Sequence, residues 1–177
     1  MRTSVVLTLT GPDRVGIVEE LTKAMLELGG NVDISRAERL GGEFAVLMLV
    51  SLAEQDAEKI DSSLAHLTRQ GYKVTVTPTD ASAAERHAGW PAYRVEVEGA
   101  DHEGIVHEIA RGLSSQGISI DAMDTDTSRA PVTGTTLFSM SATVLVPPDV
   151  AATEWMAALD EAARESNVDV RVTPTDS

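Results

Sequence analysis

The stretch GPDRVGIV, residues 11–18, returns as GADHEGIV at residues 99–106. Gly11 and Gly99, Asp13 and Asp101, and Gly16 and Gly104 each stand 88 residues apart. The same offset sets GGNVDI (residues 29–34) on GISIDA (residues 117–122), and the closing VTPTD recurs unchanged 96 residues on. Self-similarity at a fixed offset marks a repeated structural unit. The second copy therefore carries eight additional residues after the shared core. The units are residues 1–80 and 92–177, joined by ASAAERHAGWP at residues 81–91, which is small and polar and lacks apolar periodicity. SAAERHA within that linker has the composition of a short helical piece. A unit of this size buries only about 60–65% of its unfolded surface and gains from packing on its twin.

Working outward from the first motif, SVVLTLT alternates as a strand. VGIVEELTKAMLEL then places Ile17 or Val18, Leu21, Ala24 or Met25, and Leu28 on one helical face, ended by Gly29 and Gly30. NVDISRAERL and EFAVLMLVSL meet across Gly41 and Gly42, a hairpin signal. A helix is expected from about Asp56 to Gln70, with Ile60, Leu64 and Leu67 aligned and Gly71 as its C′ residue, before the strand YKVTVTP. The second copy repeats the order: YRVEVEG, a helix over residues 104–115, ISIDAMDTDT, TLFSMSATVLV, a helix over residues 150–165, and VDVRVTP. The order β-α-β-β-α-β predicts an α+β ferredoxin-like sandwich in each unit, a four-stranded antiparallel sheet with two helices on one face.

The opposite faces of the two sheets read differently. FAVLMLV is apolar on both sides of its strand and calls for cover on both faces. YRVEVE alternates, turning Arg94, Glu96 and Glu98 away from Tyr93, Val95 and Val97. Unequal pairing of the two domains, within or between chains, is expected.

Composition excludes several chemistries. The chain has no cysteine among its 177 residues, hence no disulfide framework, thiolate nucleophile or Cys-ligated metal. Its net charge is −14, with eight basic against twelve acidic residues up to residue 80 and six against sixteen beyond it. Without a basic cluster, nucleic acid is not a direct partner. No apolar run has the roughly 18 residues of a membrane helix, and Met1–Arg2 lead straight into a strand, so neither a membrane segment nor a signal peptide is expected and the location is read as cytoplasmic. His66, His87, His102 and His107 show no ligand spacing and are read as surface residues. Asp124 and Asp126 lack the glycine and glutamate of a calcium loop. No serine sits in a nucleophile elbow, so no catalytic residue, metal or cofactor is assigned.

Gly16 interrupts an otherwise good helix, where glycine costs about 1 kcal/mol relative to alanine. Either its missing β-carbon lets the helix sit close on the first strand, or it admits a ligand. Asp13 is placed to cap the helix, and free N–H groups near Val15–Ile17 could hold a small carboxylate. Arg14 is a second carboxylate partner or a solvent-facing loop residue. Asn31 is a turn residue after Gly-Gly, or an amide that reaches a neighbour's loop across a two-fold.

A strand running into GPDRVGIV, a helix, GGNVDI and a hairpin resemble an ACT domain, a small-ligand regulatory module usually concerned with amino acids. The resemblance covers both halves. APVTGTTLFSMSATVLVPP, residues 130–148, is similar to the long second-domain hairpin of the glycine cleavage system transcriptional repressor family. The resemblance implies an amino-acid-responsive protein that acts through a partner protein, such as a DNA-binding regulator, and forms homo-oligomers by ACT pairing. It implies ligand contacts at Asp13, Arg14, Gly16, Ile17 and Asn31, with Asp101, Gly104 and Ile105 as the second copy's weaker set. Ser119 stands in that copy where Asn31 stands in the first. A constitutive interaction module without a working ligand site is the alternative. ACT domains also resemble the amino-terminal part of formyltetrahydrofolate deformylases. A chain ending at Ser177 with both repeats complete is read as leaving no room for such a catalytic domain.

Overall fold

The computed structural model describes residues 1–79 and 85–175. Contacts divide the chain into two compact units, Met1–Glu85 and Arg86–Ser177. Of the helical piece expected in the linker, residues 82–84 lie outside the described residues, and residues 85–89 form a turn closed by Trp90 N–H donating to His87 O at 3.1 Å.

In the first unit the elements are β1 (Arg2–Pro12), α1 (Ile17–Glu27), β2 (Asn31–Leu40), β3 (Glu43–Ala53), α2 (Glu54–Ala57), α3 (Ile60–Arg69) and β4 (Lys73–Pro78). In the second they are β5 (Ala92–Ala100), α4 (Ile105–Ser115), β6 (Ser119–Arg129), β7 (Thr136–Leu145), α5 (Ala152–Glu165) and β8 (Val168–Pro174). The sheets run β2-β3-β1-β4 and β6-β7-β5-β8, antiparallel throughout. Both units are ferredoxin-like α+β sandwiches, with Leu7, Leu9, Met48 and Val50 of the first sheet packed on Leu21, Met25, Leu64 and Leu67 of its helices. Val97, Val144, Ile109 and Trp155 do the same in the second.

The expected helix over residues 56–70 is two pieces. From residue 54 to residue 59 no side chain is buried. Helices of this length are held by their packed face. Lys59 N–H instead closes a turn onto Asp56 O at 3.0 Å, and α3 starts at the first anchor, Ile60.

Gly11 lies opposite Phe44 and Gly99 opposite Phe138, so the offset grows from 88 to 94 between β6 and β7. Six of the eight additional residues therefore fall in the turn of the second hairpin. Both hairpins slip register at one place, between Val32 and Ile34 and between Ile120 and Ala122. A β-bulge thus sits at Asp33 and at its counterpart Asp121.

The outer sheet faces differ position by position. Val6, Leu49 and Leu47 lie where Arg94, Thr143 and Ser141 lie in the second unit, and Thr8 and Thr10 match Glu96 and Glu98. Arg36 matches Asp124, and Lys73 matches Asp169. Leu47 is 48% exposed and Ile34 54%.

Candidate functional site

The loop from β1 to α1 carries the first candidate set. Gly16 is the N-cap of α1 rather than a residue of its first turn, with φ 91° and ψ −4°. A β-carbon there would meet nothing within 4 Å, so close packing on the strand is not its role. Its role is the left-handed backbone, which side chains with a β-carbon rarely adopt. Gly104 repeats this at φ 98°, again in open space. The close approach belongs to the other glycine of the motif. A β-carbon on Gly11 would lie 2.5 Å from Tyr72 Cδ1, and one on Gly99 2.7 Å from Val168 Cγ1.

Asp13 does not cap α1. It stands three residues before the N-cap, out of reach of the N–H groups a capping oxygen must accept from, and pairs with Arg39 Nη1 at 3.3 Å. Glu20 N–H makes the first helical bond, to Gly16 O at 3.0 Å. The N–H groups of residues 17–19 therefore have no carbonyl partner within the helix. Ile17 lends this turn its backbone only, because its side chain is buried in the core.

Arg14 is held on three sides. Its Nη2 donates to Glu20 Oε2 and to Gln70 Oε1 at 3.1 Å, and the guanidinium lies over the Tyr72 ring, 5.6 Å from its centre. Tyr72 is fixed in turn by its hydroxyl, which donates to Pro12 O at 2.7 Å. The other oxygen of Glu20 meets His66 Nε2 at 2.8 Å. The hydrogen bond from Arg14 holds the Glu20 carboxyl below its usual range, against a smaller opposing effect of burial. Nε and Nη1 of Arg14 have no partner among the described residues, which leaves donors of a fixed guanidinium available.

Asn31 belongs to a second place. Helix α1, eleven residues long, spans about 16 Å at 1.5 Å per residue. Asn31 lies beyond its far end, so one domain does not bring Asn31 and Arg14 together. Asn31 Nδ2 donates to Asp33 Oδ1 at 2.6 Å, and Ser51 Oγ donates to the same oxygen at 3.1 Å, so the bulge residue orients the amide. Beside it a groove of about 430 Å³ runs between α1 and the start of β2, lined among others by Glu19, Lys23, Leu26, Gly30 and Asn31. Lys23, Glu20 and Tyr72 are the residues that sequence reasoning missed. The spacing of Glu19 and Lys23, four apart on one helix face, was the available signal for Lys23; Tyr72 lies sixty residues beyond Pro12 and gave none.

In the second unit His102 stands where Arg14 does. Its Nε2 lies 2.6 Å from Ser166 O, at the end of α5, and its Nδ1 3.0 Å from Glu103 O. Both contacts are to carbonyl acceptors, so only the imidazolium makes both as hydrogen bonds. These two backbone bonds, with Asp101 adding a weaker attraction, raise its pKa above the usual histidine value. His102 and His66 thus join loop or helix to helix rather than standing as plain surface residues. Asp101 N–H donates to Thr136 O at 2.9 Å, and Ile105 is buried. Glu108, the counterpart of Glu20, bonds Arg111, which also holds Glu165.

The ACT domain model matches residues 3–77, the whole run from β1 to β4. The chain belongs to the ACT domain family. Its second ACT domain repeats the sheet order of the first, without a counterpart of α2 among the described residues. A solved structure of an unknown protein from Galdieria sulphuraria is similar over 99% of this chain and 100% of its own, at 32% identity and a TM-score of 0.86. Another, provisionally described as a glycine cleavage system transcriptional repressor, is similar over 100% of this chain and 99% of its own, at 20% identity and a TM-score of 0.72; this second likeness shows the tandem ACT fold. No curated protein matches in sequence. No helix among the described residues is long and apolar enough to cross a membrane.

Proposed function

We propose that this tandem ACT protein is a non-catalytic regulator that binds a small amino acid in the β1–α1 loop of its first domain. In this reading the ligand carboxylate lies on the unpaired N–H groups of residues 17–19 and accepts a hydrogen bond from the free Nη1 of Arg14. Gly16 gives the backbone the turn that opens this cradle, and Asp13 borders it. Asn31 of a second ACT domain, across an interface, supplies the amide that meets the ligand's other end. Asp101, Gly104 and Ile105 form a lesser site, because His102 there is committed to two carbonyls. The observation that carries the proposal is the guanidinium of Arg14. Glu20, Gln70 and Tyr72 fix it, and its Nε and Nη1 donors stay unpaired among the described residues, beside a helix N-terminus. The cellular output is a changed affinity for a partner protein, a DNA-binding regulator of amino-acid metabolism, in the cytoplasm. That requires the ligand to bind two states of the protein unequally.

Calorimetry and thermal shift against the individual amino acids test this. Glycine has five heavy atoms, and at a ceiling of about −1.5 kcal/mol per atom its dissociation constant is about micromolar or weaker. Arg14→Met is expected to abolish the response in a chain that still folds. A folded wild-type chain that shows no shift with any amino acid at about 10 mM overturns the proposal, since even a 1 mM ligand then stabilises by about 1.4 kcal/mol.

A further inference from the structure

Glu20 stands between two side chains that can each carry positive charge. Its Oε2 accepts from Arg14 Nη2, and its Oε1 lies 2.8 Å from His66 Nε2. The other ring nitrogen, Nδ1, meets Ser63 O at 3.0 Å. A carbonyl can only accept, so Nδ1 is the donor there, and a second proton on Nε2 makes the ring an imidazolium. Arg14, Glu20 and His66 together then carry one net positive charge, and none when the ring is neutral in either tautomer. The other charged groups around the ring are Arg69, one turn on along α3, and Glu27, two turns beyond Glu20 on the same side of α1. Gln70 and Tyr72 lie beyond Arg14. Of these residue types only histidine ordinarily changes charge between about pH 5 and 8. In the second domain Glu108 is bonded by Arg111 instead, with no histidine among its partners in the described residues.

We propose that His66, acting through Glu20, sets the affinity of the carboxylate cradle of Arg14 and residues 17–19, which tightens as the ring takes up a proton; this role rests on that cradle being the ligand site. His66 does not touch the ligand. Arg14 keeps its place in both states, because Gln70 and Tyr72 hold it alongside Glu20. What changes is the charge that a bound carboxylate faces. Beside a neutral ring, Glu20 cancels the charge of Arg14. Beside an imidazolium, Glu20 is shared between two cations and one positive charge is left over. The side chains of His66 and Glu20 are 36% and 29% exposed, so water screens this charge in part. One charge acting through such a screened site changes affinity about threefold. The first domain then responds at lower amino-acid concentration as pH falls.

NMR of the full chain, titrated with acetate and separately with glycine at several values between about pH 6 and 8, tests it; both probes keep their carboxylate ionised throughout that range. The amides of residues 17–19 are expected to shift. The dissociation constant is expected to rise with pH, about threefold for acetate and less for glycine, whose ammonium the imidazolium repels. The midpoint of that rise is expected to match the titration of the His66 ring, followed in the same samples. His66→Gln, neutral throughout, is expected to bind at the weaker level and His66→Lys, charged throughout, at the tighter one, both without the pH dependence. A merely structural role would weaken both variants alike. Raised salt is expected to shrink the difference. Affinity that ignores pH, a His66 ring that does not titrate in this range, or a His66→Gln chain that keeps the wild-type profile overturns this role of His66 and leaves the Arg14 site standing. Amides of residues 17–19 that move with neither probe at any pH overturn the site and the role together. If either variant fails to fold by circular dichroism, the wild-type profile and the other variant decide.

Discussion

Gly16 separates two meanings of glycine that a sequence cannot distinguish. The space around its missing β-carbon is open, whereas its φ of 91° is not open to other residues at the same cost. Gly16→Ala and Gly16→Leu should therefore destabilise by similar amounts, about 1–2 kcal/mol each, when urea unfolding of the two variants is compared. A loss that grows steeply with side-chain size would return Gly16 to a packing role. His102 makes a residue-scale prediction in pH. Its pKa is raised in the folded chain, so its contribution is fully present below the usual histidine value, near 6.5, and is lost as pH rises through the raised value. NMR titration of His102 should show that elevation, and His102→Arg, which copies the first domain, should remove this part of the pH dependence of thermal unfolding above about pH 6.5.

At the scale of elements, α1, α3 and α4 end in the same way. Gly30 N–H and Tyr72 N–H each donate back to a carbonyl five residues earlier, Met25 O and Leu67 O, around a left-handed Gly29 or Gly71. Ile118 N–H does so to Leu113 O around Gly117. These are Schellman caps. Helix α5 departs from the set: Asn167, at φ 48°, holds the place of Gly71 and is the one residue other than glycine at positive φ among those described. Asn167→Gly should stabilise the chain by a few tenths to about 1 kcal/mol and Asn167→Ala should destabilise it, read from shifts in the urea midpoint. Helix ends and strands were legible in the sequence because glycine position and apolar period both act locally. The break between α2 and α3 was not, because it depends on which residues find a core to enter.

For the whole molecule, the duplication was written plainly in the sequence, and with it the architecture of both domains. The difference between the sheet faces was legible too, in FAVLMLV against YRVEVE, since alternation along a strand reports one face at a time. Much of the candidate site was not. Arg14 meets Gln70 and Tyr72, and Asp13 meets Arg39, across distances along the chain that no local pattern encodes. The separation of Arg14 from Asn31 became visible only when α1 had a length and a direction.

The bulges at Asp33 and Asp121 carry a historical consequence. A one-residue slip in a hairpin turns every later side chain to the opposite face, so it arises rarely without disrupting a core. Finding it at the same place in both copies dates it before the duplication. The ancestor was then a single unit of some eighty residues that already held the bulge and the left-handed glycine of its first loop. The difference between Arg14 and His102, and between the outer faces of the two sheets, marks where the copies diverged afterwards.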